Sequence, residues 1–166
     1  MAENEDYLRS VGGEALGGRL RRLSERIDRE ANEIYRRLGV EFEQRWFGVI
    51  NQLALHDGLS VTDIAKRLRI THASVSQSRR SLERTGLVEG MTDERDARRR
   101  VLRLTSKGRQ LVETLAPFWE AEKRATRKLA EEIPELMNAI DGLEDALDQY
   151  SLEQRATDEF EVQSRV

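Results

Sequence analysis

The chain of 166 residues has no cysteine, which excludes disulfides, thiolate metal sites, cysteine nucleophiles and thiol redox switching within it. Proline is nearly missing too, with two residues, and aromatics make up 5%. No apolar run exceeds the three residues Leu53 to Leu55. A membrane-spanning helix needs about 20 such residues and the core of a signal peptide at least about 7. No membrane partner is therefore expected, and the expected location is the cytoplasm. Catalytic patterns are missing as well: there is no glycine-rich phosphate loop, no nucleophile with a base at useful spacing and no zinc signature. Thr105-Ser106-Lys107-Gly108 has the letters of a phosphate loop without its upstream glycine, and reads better as a helix cap. Neither an enzyme nor a cofactor is expected. His56 and His72 lie 16 apart with no cysteine nearby, so no metal site is expected either.

What the chain does hold is charge and helix formers. Charged residues are 36% and apolar residues 38%, and the abundance of Ala, Leu, Glu and Arg favours helices. The length suits about one domain. The formal net charge of −3 conceals a division along the chain. Residues 60–110 carry thirteen basic and six acidic side chains, a net of +7, whereas residues 1–59 have −2 and residues 111–166 have −8. A concentrated positive centre between acidic arms suits a polyanionic partner.

Apolar periodicity divides the chain into elements. Residues 1–13 are acidic and end in Gly12-Gly13, a flexible tail. Leu16, Leu20, Leu23, Ile27, Ala31, Ile34 and Leu38 recur at steps of three and four, one narrow stripe of a long helix of the kind that forms a helix–helix seam. Gly39 stops it. A second helix carries Phe42, Trp46, Val49, Ile50 and Leu53 on one side, broadened by Phe47. Ser60-Val61-Thr62-Asp63 spells a capping box ahead of a short helix with Ile64, Ala65 and Leu68. A turn at Arg69-Ile70 follows, then a helix capped by Thr71 and stopped by Gly86. Leu87 to Met91 and Arg99 to Leu104 read as strands, and the polar run 92–98 between them as an arginine-rich hairpin tip. Thr105 caps a further helix, in which Pro117 predicts a kink or local break. Pro134 suits the first turn of a final helix with a stripe of Leu136, Ile140, Leu143, Leu147 and Tyr150. Residues 151–166 fit either a helix extension or a tail.

A short helix, a tight turn and a helix opening at threonine form a helix-turn-helix, whose second helix presents its N-terminal side chains to base edges in the major groove. Val75 and Leu82 define its buried side. The remaining face offers Ser74, Gln77, Ser78, Ser81 and Arg84: glutamine can pair bidentately with adenine, and serine with several groups. Arg79 falls at the buried spacing and conflicts with the pattern unless its stem lies along the core or its head reaches a phosphate. In the hairpin, Arg95, Arg98, Arg99 and Arg100 lie within six residues, interleaved with Asp93 and Asp96. Arginine in excess suits the negative potential of a narrow minor groove, and neighbouring aspartates can hold guanidinium planes in place.

The run Asp93-Glu94-Arg95-Asp96-Ala97-Arg98, followed by Leu104-Thr105 and Gly108, resembles the wing signature of the MarR-type winged-helix regulators. Leu82-Glu83-Arg84-Thr85-Gly86-Leu87-Val88 resembles that family's join between recognition helix and wing. The resemblance spans about residues 14–150 and is most specific over 60–108. It implies a mainly α fold: a winged helix-turn-helix with a small antiparallel β-hairpin wing and long N- and C-terminal dimerisation helices. The implied division is a flexible tail 1–13, a single unit 14–150 and an extension 151–166. Within that unit, dimerisation helices 14–58 and 105–150 flank a DNA-binding lobe 59–104. The implied function is a homodimeric, sequence-specific regulator of transcription, usually a repressor, bound to a pseudo-palindromic operator in double-stranded DNA. The alternative is a winged-helix interaction module binding an acidic protein.

The residues expected to meet DNA are Thr71, His72, Ser74, Ser76, Gln77, Arg80 and Arg84 on the recognition helix. On the wing they are Arg95, Asp96, Arg98 and Arg99, with Arg98 matching the arginine that enters the minor groove. Arg79 departs from the family, which usually has an apolar residue there. Leu16, Leu20, Leu23, Ile27, Leu136, Ile140, Leu143 and Leu147 are the expected dimer interface. Many relatives release DNA on binding a small aromatic or anionic effector between the dimer arms and the lobe. Phe42, Trp46 and Phe47 are placed to line such a site, or to be ordinary core.

Overall fold

A computed structural model describes residues 6–93 and 99–164 of the chain. Its helices are α1 (Tyr7–Ser10), α2 (Leu16–Arg37), α3 (Phe47–Leu55), α4 (Val61–Leu68), α5 (His72–Arg84), α6 (Ser106–Glu131), α7 (Leu136–Gln149) and α8 (Leu152–Ser164). Two strands, β1 (Val88–Thr92) and β2 (Arg100–Leu104), lie between α5 and α6. The fold is mainly helical, a winged helix-turn-helix with a two-stranded antiparallel wing. None of the helices among the described residues is long and apolar enough to cross a membrane.

The chain divides into two compact units, Met1–Thr114 and Leu115–Val166. Within the first unit, the core gathers α3, α4, α5 and the wing. Ile50, Ile64, Val75 and Leu82 are fully enclosed, joined by Leu59, Leu87, Val88, Val101, Leu102 and Leu104. Only the end of α2 joins this core, through Ala31 and Tyr35. The Tyr35 ring packs edge-on to Phe42 at 4.8 Å, and Phe42 in turn to Trp46 at 5.7 Å. The Tyr35 hydroxyl donates to Gln44 Oε1 at 2.7 Å, and the Gln44 amide donates to Asn32 Oδ1 at 2.7 Å. These bonds satisfy the polar tips and fasten the last turns of α2 to the lobe.

Several local elements form as their residues dictate. Ser60 and Asp63 make a full capping box on α4. Arg69 takes the left-handed conformation at the end of α4, with φ 52°, and turns the chain into α5. The wing pairs in register from Val88 with Leu104 to Thr92 with Arg100. Thr105 binds the wing to α6: its Oγ1 donates to the Gly86 carbonyl at 2.7 Å and accepts from the Gly108 amide at 3.0 Å. A Cβ on Gly108 would lie 2.1 Å from the Leu87 carbonyl oxygen. Only glycine admits this approach, which gives the spacing from Thr105 to Gly108 a steric cause.

Other expectations are corrected. The stretch expected as a loose tail is helical from Tyr7 onward, and Asp6 pairs with Arg22 on α2 at 2.8 Å. Residues 1–5 of that tail lie outside the described residues. Of the kink or local break expected at Pro117, the break does not occur, since α6 runs helically from Ser106 to Glu131 around it; a single proline removes one backbone donor and leaves the flanking turns bonded. Pro134 precedes the helix rather than opening it, because Glu135 is the N-cap of α7 in a left-handed conformation. Residues 152–164 are the helix α8, begun by a reciprocal cap: the Ser151 amide donates to Gln154 Oε1 and the Gln154 amide to Ser151 Oγ.

Candidate nucleic-acid interface

The recognition helix α5 begins at Thr71, whose Oγ1 accepts from the Ser74 amide at 3.1 Å. This leaves the first turn's remaining amides at the exposed, electropositive end of the helix. Val75, Ser78 and Leu82 face inward. At 100° per residue, the opposite side carries a ridge of Ala73, Gln77, Arg80 and Arg84, all exposed. Of the seven α5 residues expected at DNA, Thr71, His72, Ser74, Gln77, Arg80 and Arg84 are exposed and Ser76 is half-buried. Two hydroxyls are engaged with each other, Thr71 Oγ1 and Ser74 Oγ at 2.8 Å. His72 Nδ1 lies 3.4 Å from Ser76 Oγ.

Ser78, read from the sequence as part of the outer face, is buried instead; it falls between Val75 and Leu82 on the helical wheel and is small enough to pack there. Arg79 is resolved by its own helix. Its Nε pairs with Glu83 Oε1 at 3.0 Å, one turn on, so its stem borders the core while its charge is met locally.

On the wing, Arg95, Asp96 and Arg98 lie outside the described residues. Arg99 is described, and its guanidinium is drawn inward. Nη2 donates to Asp63 Oδ2 on α4, and Nη1 lies 3.5 Å from Asp93 Oδ2. Asp63 Oδ2 also accepts from the Ser60 hydroxyl at 2.5 Å and the Ser60 amide at 3.0 Å. These Ser60 bonds, with Arg99, hold the Asp63 carboxyl below the usual aspartate range. Sequence reasoning treated Asp63 as a helix cap alone. The excess of arginine over aspartate in the hairpin drew attention to the tip, and nothing in the spacing joins residues 36 apart.

Of the two readings of the aromatic cluster, effector lining or core, burial fits core. Phe42 and Trp46 are buried core and Phe47 is half-buried. Trp46 Nε1 is buried without an acceptor among the described residues, a cost outweighed by burying the rest of the indole. An open hollow of about 330 Å³ in the first unit is lined instead by Val40, Leu87, Leu111 and Lys107 among others. Its lysine donates to the Thr85 carbonyl at 2.8 Å. Among the described residues no cluster of three or more metal-ligating side chains occurs. His56 Nε2 lies 3.1 Å from the Arg67 guanidinium.

The expected dimer residues are exposed or half-exposed. Leu16, Leu20, Leu23 and Ile27 on α2 are each more than two-fifths accessible. On α7, Ile140 and Leu147 are exposed, and Leu136 and Leu143 half-buried.

Comparison with known proteins agrees with this architecture. The sequence profile described as MarR family matches residues 38–99, from the end of the first long helix to the wing. The chain is 33% identical over 75 residues to the transcriptional activatory protein BadR of Rhodopseudomonas palustris, a match covering 44% of this chain and 43% of that protein. It thus spans under half the length of that relative. Among solved structures, MepR of S. aureus in complex with DNA superposes with a TM-score of 0.61 at 26% identity, covering 80% of this chain and 96% of MepR. The transcriptional regulator MOSR of M. tuberculosis, solved with DNA, reaches 0.64 at 21% identity over 78% of this chain and 93% of its own; at that identity the likeness concerns the fold. The helix-turn-helix and the first strand of the wing lie on the segment that the profile matches, and over that segment the chain is similar to the MarR family of transcription regulators.

Proposed function

We propose that the protein is a homodimeric regulator that binds a pseudo-palindromic operator in double-stranded DNA. The observation that carries this reading is the exposed polar ridge of α5, set in the one strongly basic segment of an otherwise acidic chain. A recognition helix in each protomer would enter successive major grooves about 34–36 Å apart. Gln77, Arg80 and Arg84 are the side chains assigned to bases and phosphates there, and Arg98 is assigned to the minor groove. The exposed stripes of α2 and α7 are the assigned dimer surface, and the cytoplasm is the assigned location. Repression is the regulatory sign we assign, from the family resemblance. BadR is named an activatory protein, and sign follows where an operator lies relative to a promoter rather than how the lobe grips DNA.

The test is selection of bound fragments from random DNA, then titration across a salt series. Two-fold symmetric sites with half-sites about 10 bp apart are expected, with affinity falling steeply as salt rises. Arg98→Ala should weaken binding and flatten the salt slope by about one unit. A protein that retains no duplex in dilute buffer would refute the DNA reading, and a stoichiometric acidic protein partner would replace it.

A further inference from the structure

We propose that Arg99 and Asp63 form a strut that fixes the wing against the helix-turn-helix, so that Arg99 is a positioning residue and not a DNA contact. The inference rests on the DNA-binding reading for its consequence, and on the geometry of the first unit for its existence.

The pair sits at the root of the wing. Asp93 follows β1 directly and Arg99 precedes β2, and the Asp93 amide donates to the Arg99 carbonyl at 2.8 Å. This bond closes the strand ladder where the chain leaves for residues 94–98, so whatever holds Asp93 and Arg99 sets the origin of the arginine-bearing tip. The Arg99 guanidinium reaches in two directions, to Asp93 on the wing and to Asp63 on α4. Asp63 is the third residue of α4, and the same Oδ2 that takes Arg99 takes both Ser60 donors. One carboxylate oxygen thus joins the start of the helix-turn-helix to the base of the wing. A second tie lies close by: Leu59 and Leu102 exchange both backbone hydrogen bonds, at 3.2 and 2.8 Å. Since α4 packs on α5, fixing the wing to α4 fixes its reach relative to the recognition helix.

The charges point the same way. Asp63 and Asp93 are acidic groups in a segment of net +7, and uncovered they would repel phosphate. Arg99 lies between both carboxylates, and its charge offsets theirs at the base of the wing. The pair itself is partly exposed, and exposed ion pairs contribute little to folding stability. Its effect is therefore expected in DNA affinity and wing order rather than in melting temperature.

The experiment compares Arg99→Gln, Asp63→Asn and the double variant in the full chain, with Ser60→Ala as a control that removes the cap and keeps the pair. The probe is the duplex fragment selected by the unaltered protein. Each single variant is expected to weaken binding by about tenfold, the double variant no further, and Ser60→Ala by less, all with an unchanged salt slope. Arg99→Lys should restore part of the loss. A salt slope reduced by about one unit in Arg99→Gln, with Asp63→Asn binding as tightly as the unaltered protein or tighter, would make Arg99 a phosphate contact and overturn the proposal. A DNA-independent arm separates this from failure of the DNA reading. Amide exchange at Leu59 and Leu102 should quicken in both single variants, and unchanged exchange in both would remove the strut even if DNA binding stands.

Discussion

The lobe of residues 59–104 and the long helices at either end of the chain treat their apolar residues in opposite ways. In the lobe, Ile64, Val75 and Leu82 have no accessible surface at all. Along α2, Leu23 and Ile27 are 53% and 57% exposed, and α7 has no buried residue. Both regions have regular apolar spacing, so spacing alone does not distinguish them. The difference lies in what one chain can supply. The lobe's helices are short, set at a turn and backed by a wing, so each stripe meets another element of the same chain. The stripe of α2 is enclosed only at Ala31, where the neighbouring Tyr35 also reaches the lobe. Soluble monomers rarely leave large contiguous apolar patches open, and the open stripe is the surface proposed above for a second copy.

The comparison breaks most sharply at that stripe. Leu20→Asp together with Leu23→Asp places charge in the proposed seam while touching nothing in the lobe core. The expected outcome is a monomer by sedimentation that keeps most of its helical signal. Operator affinity should fall by at least about 100-fold, because two linked lobes gain that much from a shared, raised effective concentration. A dimer that persists with unchanged affinity would move the interface elsewhere.

The same deletion made in both regions sharpens the contrast. Leu82→Ala removes a fully enclosed side chain and should cost about 2–5 kcal/mol in urea unfolding. Leu23→Ala, measured at protein concentrations low enough to hold the chain monomeric, should cost under about 0.5 kcal/mol, as surface changes do. At high concentration the Leu23 variant should lose more, since association then adds to apparent stability. Equal costs at low concentration would mean that the α2 stripe is already covered within one chain.

How much of this was legible in the sequence follows the same division. The capping box at Ser60 and Asp63, the Thr71 cap, the Gly86 stop and the Thr105 cap are each written within four residues of their partners, and each stands where the spacing put it. Features that join distant segments were not legible. Tyr35 is the largest fully enclosed side chain yet lies beside the α2 stripe rather than on it, because its cover comes from Phe42 and the Gln44 turn. Ser78 read as outward because serine is polar, although its position between Val75 and Leu82 places it inward. The pairing of Arg99 with Asp63 was hidden because nothing nearby in sequence joins residues 36 apart. Phe42 and Trp46 read as core more readily than as pocket, and packing encloses both. One local signal was there to be used: Ser151-Leu152-Glu153-Gln154 has capping-box spacing and begins α8.

That last cap supplies the smallest and most discriminating contrast. Thr71 and Ser151 each accept an amide of their own helix's first turn, at 3.1 and 3.2 Å. Locally the two bonds are alike, and replacing either residue by alanine forfeits about 1 kcal/mol of helix stability. Their surroundings differ. Val75, Ser78 and Leu82 build α5 into the lobe core, so a weakened α5 start must weaken the cooperative unfolding of the whole lobe. On α8, Leu152, Phe160 and Val162 are all more than three-fifths exposed, so a weakened start has little to transmit. Thr71→Ala should therefore lower the main thermal transition by a few degrees. Ser151→Ala should leave that transition in place and only speed amide exchange over the first turns of α8. A matching drop in the main transition for Ser151→Ala would show that α8 folds as one unit with the lobe.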